Sequence, residues 1–197
     1  MSALVISGDT SGQISVTVPA VAGSNTITLP AGTGTAAVQG VSTNLAVSSA
    51  VNSTSGTSID FTSIPAYVKR ITIILNGTST SSNSALLFQA GNGSVVTTGY
   101  NAQGFRWSGS AGANTAATTG VNIIISAATN NVYGTMTISN MGGNVWFFNF
   151  YGQDFVNNNG YISTGTITLS SALDRIRFTT LNGTDTFDAG TLNITWE

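Results

Sequence analysis

The 197-residue sequence contains no histidine and no cysteine. Without an imidazole or a thiol, the chain cannot form a zinc site from the usual ligands, a thiol nucleophile or a serine–histidine–aspartate triad. It also cannot form disulfides. A long-lived extracellular protein of this composition therefore has to rely on β-sheet packing or on interlocked subunits.

Charge is scarce, since only 6% of the residues are Asp, Glu, Lys or Arg, against about 25% in an ordinary soluble domain. Long amphipathic helices need charged residues on their polar face, and nucleic-acid binders need a basic patch. The net charge is −2. We therefore expect neither long helices nor a nucleic-acid partner.

Long apolar runs are missing as well. The most apolar run, residues 145–151, is far too short to cross a bilayer, so no membrane insertion is expected. Residues 1–6 lack the basic start and the apolar length of a secretory signal. The uncharged surface suits an exposed protein, whereas no export signal is visible.

What the sequence does contain is short runs in which apolar and polar residues alternate, separated by Asn, Gly and Ser clusters. This period of two is typical of half-buried strands. The candidate strands are residues 59–61, 68–75, 86–89, 95–98, 121–125, 133–138, 145–150 and 163–169, followed by a closing antiparallel pair within 173–196 around an Asn182-Gly183 turn. Residues 111–119 are interrupted by Gly, Asn and Thr and are expected to form a loop. The pattern predicts an all-β fold.

Three regions are expected along the chain: an attachment arm at 1–40, a linker at 41–58 and a β-sandwich at 59–197. The arm holds two alternating runs that each end at a proline, namely Ile14, Val16, Val18 and Pro19, and Ile27, Leu29 and Pro30. A two-stranded hairpin alone is marginal in water, so the arm needs its own domain, identical neighbours or a larger particle to lie on. Alternatively, it is the first hairpin of one continuous sandwich.

Five of the twelve charged residues fall within 173–196, and they are Asp174, Arg175, Arg177, Asp185 and Asp188. They indicate either a solvated strand face with a polar turn or ion pairs at an oligomer seam. With Asp154, these aspartates are the only plausible pool for the carboxylate pair of a glycosidase. Because Asp174 is next to arginine, and Asp185 and Asp188 lie in turn sequence, we expect no catalytic residues and no enzyme.

A calcium site is a second possibility for some of these carboxylates. Asp185, Asp188 and the amides of residues 157–159 offer hard oxygen ligands for calcium, but their spacing matches no known loop. We therefore expect no metal and no cofactor.

Aromatic side chains beside amides, in segments rich in Gly, Ser and Asn, are the candidate receptor contacts. Such surfaces suit carbohydrate or protein ligands. The candidates are Tyr100, Phe105, Arg106, Trp107, Phe155 and Tyr161. The alternative is that these rings pack under their own loops.

Two parts of the sequence resemble known proteins. The arm, GDTSGQISVTVPAVAGSNTITLPAGTGTAAVQG, resembles a module near the start of many tailed-bacteriophage virion proteins, often tail fibres or fibre-like structural proteins. The stretches IDFTSIPAYVKRITIIL and LDRIRFTTLNGTDTFDAGTLNITWE look like the opening and closing strands of a β-domain that recurs in such proteins. Relatives often have Gly before the Ile-Pro, where this chain has Ser63.

The resemblance implies a non-enzymatic phage virion structural protein, either a tail fibre or adhesin that contacts the host surface, or a capsid decoration or head-fibre protein that stabilises the head. It implies an arm or β-hairpin followed by a jelly-roll-like antiparallel β-sandwich, assembled as a homotrimer. The expected partners are identical copies, other virion proteins bound through the arm, and a host glycan or protein. The expected location is the phage particle surface, after synthesis in the host cytoplasm and release by lysis.

Overall fold

The structure is a computed structural model that describes residues 3–7, 13–17, 45–109 and 111–197. The chain divides into two units, residues 1–42 and 43–197. In the first unit, β1 (Ala3–Ser7) pairs antiparallel with β2 (Gln13–Thr17). Strand β2 confirms the first alternating run of the arm. Val18, Pro19, Ile27, Leu29 and Pro30 lie outside the described residues.

The described residues of the second unit form strands and no helix, which confirms the all-β prediction; none of them belongs to a helix long and apolar enough to cross a membrane. The strands are β3 (Ala46–Val47), β4 (Val51–Asn52), β5 (Ser58–Phe61), β6 (Arg70–Thr80), β7 (Leu86–Asn92), β8 (Ser94–Val95), β9 (Asn101–Ser108), β10 (Ala111–Ala117), β11 (Val121–Ile123), β12 (Val132–Gly142), β13 (Val145–Asp154), β14 (Asn159–Thr168), β15 (Arg175–Thr180) and β16 (Phe187–Trp196).

These strands form two antiparallel sheets. The larger has the order β10-β9-β14-β13-β12-β6-β16-β3, and β4 also pairs with β16. The smaller has the order β11-β7-β15-β5, with β8 paired to β7. Consecutive strands β12, β13 and β14 form a meander, and the finer jelly-roll designation stays a prediction.

The inner faces of the two sheets share one hydrophobic core. Strand β13 shows how the alternation produces it, because Trp146, Phe148 and Phe150 are buried while Asn149 and Tyr151 on the opposite face are exposed. Phe178 of the smaller sheet stacks on Phe187 of β16, with ring centroids 5.0 Å apart. This contact joins the two layers at the aromatic centre of the core.

The closing strands do not form the predicted pair. Strand β15 lies between β7 and β5 in the smaller sheet, whereas β16 lies between β6 and β3 in the larger one. The Asn182-Gly183 turn is present, with Gly183 at φ 68° and its N–H donating to the Thr180 carbonyl at 3.1 Å. The turn therefore carries the chain from one sheet to the other instead of closing a hairpin.

Two other segments differ from their sequence-based description. Residues 111–117, expected to be a loop, form the edge strand β10, whose backbone pairs with β9 along its whole length; the ladder overrides a low strand propensity. Within the expected linker, β3 and β4 both pair with β16. That part of the linker is attached to the larger sheet.

The clustered charges form partly exposed ion pairs. Arg177 donates two hydrogen bonds of 2.7 Å to Asp60 across the β15–β5 ladder. Arg175 pairs with Asp174 at 2.7 Å. The hydrogen bonds from the Arg175 guanidinium hold the pKa of Asp174 below its usual value. Partial exposure agrees with the solvated strand face considered above.

Candidate functional site

The outer face of the larger sheet carries the candidate site. Cross-strand register places Trp107, Gly160, Gln153 and Tyr133 in one row across β9, β14, β13 and β12. The adjacent row on the same face contains Phe105, Ile162, Tyr151 and Thr135. Among the outward-facing residues of the described strands of this sheet, the charged side chains are Arg70 at one corner, which forms an ion pair with Glu197, and Asp188 near the start of β16, which accepts a hydrogen bond from Ser79. The face is aromatic, amide-rich and almost uncharged.

Trp107 is held flat against the sheet by its neighbour on β14. A Cβ atom built on Gly160 would lie 2.8 Å from Trp107 Nε1, so the indole packs directly over the glycine backbone. The side chain remains 42% exposed. One ring face therefore rests on the strand while the other is open to a ligand.

Tyr151 separates two shallow grooves on this face. The first, about 340 Å³, lies between Tyr151 and Trp107, and is also lined by Gln153, Asn158 and Gly160. The second, about 280 Å³, lies on the other side of Tyr151 and Gln153, against Tyr133, Gly134 and Thr135. Tyr151 itself is 69% exposed. We call the two grooves with their shared divider the aromatic platform.

The end of the platform is fixed from beneath by Asp154, which is buried. Its carboxylate accepts hydrogen bonds from the N–H groups of Val156 and Asn157 and from the Asn157 side chain, at 2.7 to 3.1 Å. It also accepts from the Asn130 side chain at 2.9 Å and from the Asn131 N–H at 3.2 Å. One carboxylate thus ties the 155–158 turn to the loop before β12.

Two of the six predicted contact residues are core residues, and their assignment to receptor loops was wrong. Tyr100 is 3% exposed and Tyr161 is fully buried. Tyr161 lies within β14 and Tyr100 immediately precedes β9, and both rings have the parity of the inward-facing residues. Burial raises the pKa of both phenols to about 12; for Tyr161, the nearby negative charge of Asp154 adds to the rise.

None of the other four predicted residues is fully buried. Phe105 and Trp107 point outward from β9 and are exposed, and Phe155 is 66% exposed at the β13–β14 turn. The Phe155 ring lies 5.2 Å from that of Tyr133. Arg106 is partly buried on the opposite side of β9, where it donates to Asn159 Oδ1 at 3.2 Å. Three of the six residues are therefore exposed at or beside the platform.

The remaining candidate carboxylates bind nearby backbone and side-chain groups. Asp185 accepts from the Asn182 side chain at 2.7 Å and from the Ser84 N–H at 3.1 Å, and Asp188 accepts from Ser79. Asp174 accepts from the Gly93 N–H at 2.9 Å in addition to Arg175. Within residues 45–109 and 111–197, no cluster of acidic side chains could hold a metal ion.

Sequence reasoning missed Tyr151 as a surface residue. The signal was present, because Tyr151 shares the parity of the exposed Asn149 and Gln153 and not that of the buried Phe148 and Phe150. Gly160 was noticed only as part of a polar run, and its contact with Trp107 depends on the β14–β9 register. That register cannot be read from either segment alone.

Comparison with known proteins adds no family assignment. No protein-family model matches the chain. No curated protein and no solved structure matches it.

Proposed function

We propose that the chain is a non-enzymatic bacteriophage virion structural protein, a tail fibre or adhesin that contacts the host surface through the aromatic platform. The observation that carries the proposal is the outer face of the larger sheet, where Trp107 and Tyr151 are exposed on an almost uncharged surface. Soluble monomers rarely leave such a face without a partner. The resemblance of the arm and of the terminal strands to phage virion proteins supports the same class.

Immunogold labelling of intact virions, with antibody raised against residues 59–197, tests this proposal. Gold on the tail or its fibres is the expected result. Gold spread over the head would overturn the adhesin assignment in favour of a decoration protein that stabilises the capsid. If purified, intact particles carry no gold, the protein is not exposed on the virion surface.

We also propose that the protein works as a homotrimer, with the arm binding other virion proteins. Low charge and a hairpin too small to be stable alone favour identical copies packed together. Sedimentation equilibrium of the full chain at micromolar concentration is expected to give three times the 20.1 kDa chain mass. A stable monomer would contradict the trimer and leave the adhesin proposal to the labelling experiment.

A further inference from the structure

We infer that the ligand of the aromatic platform is an uncharged, linear glycan that occupies both grooves. This inference rests on the proposed function, because it names the chemistry of the surface that the adhesin contacts. It is argued from three features of the platform: the absence of charge in its lining, the pairing of open ring faces with amides, and the position of its two grooves on either side of Tyr151.

The lining favours a neutral ligand. Neither groove is lined by Asp, Glu, Lys or Arg. The nearest charged side chains on the same strands, Arg106 and Asp154, belong to the inward-facing set and are engaged with Asn159 and with the 155–158 turn. An anionic or cationic ligand would lose its hydration here without an opposite charge to compensate.

The groups in the grooves match the two kinds of surface on a sugar ring. The C–H face of a pyranose stacks on an aromatic ring, while its rim hydroxyls need hydrogen-bond donors and acceptors. Trp107 offers an open indole face, and Gln153 and Asn158 offer exposed side-chain amides. Within the described residues, no side-chain hydrogen bond occupies either amide, and both remain available to a ligand.

The spacing favours a chain over a single sugar. Trp107 and Tyr151 are separated by two strand spacings and by two residues along β13, which places their Cα atoms about 12 Å apart. A single pyranose can occupy one groove, whereas two or more linked rings are needed to extend from the groove beside Trp107, past Tyr151, into the groove beside Tyr133. The absence of a side chain at Gly160 lets the Trp107 indole pack against β14 beside the first groove.

The first test uses purified full-length protein and defined sugars. Neutral α-1,4-glucan, β-1,4-glucan and β-1,4-mannan hexasaccharides are titrated while the Trp107 indole N–H signal is followed by NMR, with oligogalacturonate as the anionic comparator. We expect the indole signal to shift with at least one neutral hexasaccharide and not with oligogalacturonate. Trp107→Ala and Tyr151→Ala should each weaken binding about tenfold, as loss of a stacking contact predicts.

Tyr67→Ala is the matched control, because Tyr67 is 65% exposed and lines neither groove. It should leave the affinity unchanged. A response to oligogalacturonate equal to that of the neutral sugars, equal weakening by Tyr67→Ala, or no response to any neutral hexasaccharide would overturn the inference. Circular dichroism of each variant checks that the sheets remain folded.

The second test separates the glycan inference from the proposed function. Binding of the protein to the bacteria that the phage infects is measured after periodate oxidation, which cleaves sugar diols, or after protease treatment. Loss after periodate alone is the expected result. Suppose instead that only protease treatment removes binding, and that Trp107→Ala abolishes binding to untreated cells. The adhesin function would then stand, and the glycan would be overturned as its ligand. No binding to untreated cells would overturn both.

Discussion

The phenol oxygen of Tyr100 accepts a hydrogen bond of 2.6 Å from the backbone N–H of Ala90 inside the sandwich. Tyr100 precedes β9 in the larger sheet and Ala90 belongs to β7 in the smaller one, so the bond connects the two layers. Tyr100→Phe leaves the buried N–H without this acceptor, and we expect unfolding free energy to fall by about 1–3 kcal/mol. Urea unfolding measures the loss, and Tyr67→Phe, at an exposed position, should change nothing. An unchanged midpoint for Tyr100→Phe would show that the bond does not contribute.

Alkaline pH should destabilise the protein through Tyr100 and Tyr161. Both phenols titrate near pH 12 in the folded chain and near 10 when unfolded. Between these values the unfolded state releases the proton first, so stability is fully present below pH 10 and is lost as pH rises towards 12. The slope is about 1.4 kcal/mol per pH unit for each tyrosine. Urea unfolding from pH 9 to 11.5 tests this, and Tyr161→Phe should reduce the slope; an identical slope would contradict the assignment.

Asp154→Asn should be much more destabilising than other carboxylate replacements. An asparagine here would present an NH₂ group to N–H groups whose hydrogen bonds the Asp154 carboxylate accepts. It would also remove the negative charge that strengthens those hydrogen bonds. We expect a loss of roughly 2–4 kcal/mol. Asp60→Asn, at the partly exposed ion pair with Arg177, should lose less than about 1 kcal/mol. Thermal and urea unfolding of the two variants compare them directly, and equal losses would contradict the anchoring role of Asp154.

Gly190 lies at the irregular part of β16, where the register with β6 shifts twice. Its φ is 93°, and a Cβ atom there would lie 2.5 Å from the carbonyl carbon and oxygen of Gly77. Gly190→Ala should therefore lower the free energy of unfolding by more than about 2 kcal/mol, because backbone strain is combined with a clash against the main chain.

Gly183→Ala is its matched control, since Gly183 has φ 68° and nothing within 4 Å of the added carbon. Gly183→Ala should lower the free energy of unfolding only by the cost of backbone strain, about 1 kcal/mol. If urea unfolding gives the same loss for both alanine variants, the close approach to Gly77 does not contribute.

The sequence predicts much of this fold because alternation is a local property. The inward and outward faces of β13 and the closing strand β16 follow directly from the order of apolar and polar residues. Strand β10 does not, because most of its residues are Ala, Gly and Asn, which have little strand preference and are paired here through the ladder with β9. Likewise, Asn182-Gly183 predicts a turn, but nothing local indicates whether the two flanking strands pair or separate into different sheets.

The candidate site was predictable to a smaller extent. Trp107 and Phe155 were identified from aromatic residues near amides, and both are exposed. Tyr100 and Tyr161 satisfied the same criterion and are buried, because the side of the sheet that a ring faces depends on the exact start of its strand. The platform joins residues of β9, β12, β13 and β14, and only the register brings them together.

The position of β16 has a consequence for folding during synthesis. Strand β6 pairs with β16 through partners such as Leu75 and Leu192, which are more than a hundred residues apart in the chain. Until residues 187–196 have left the ribosome, that side of β6 is an open hydrogen-bonding edge able to pair with other nascent chains. Loop closure over such a separation also makes folding slow. The interval before β16 is added is therefore the period in which the chain is most exposed to aggregation, and a chaperone acting on it would have to protect the β6 edge.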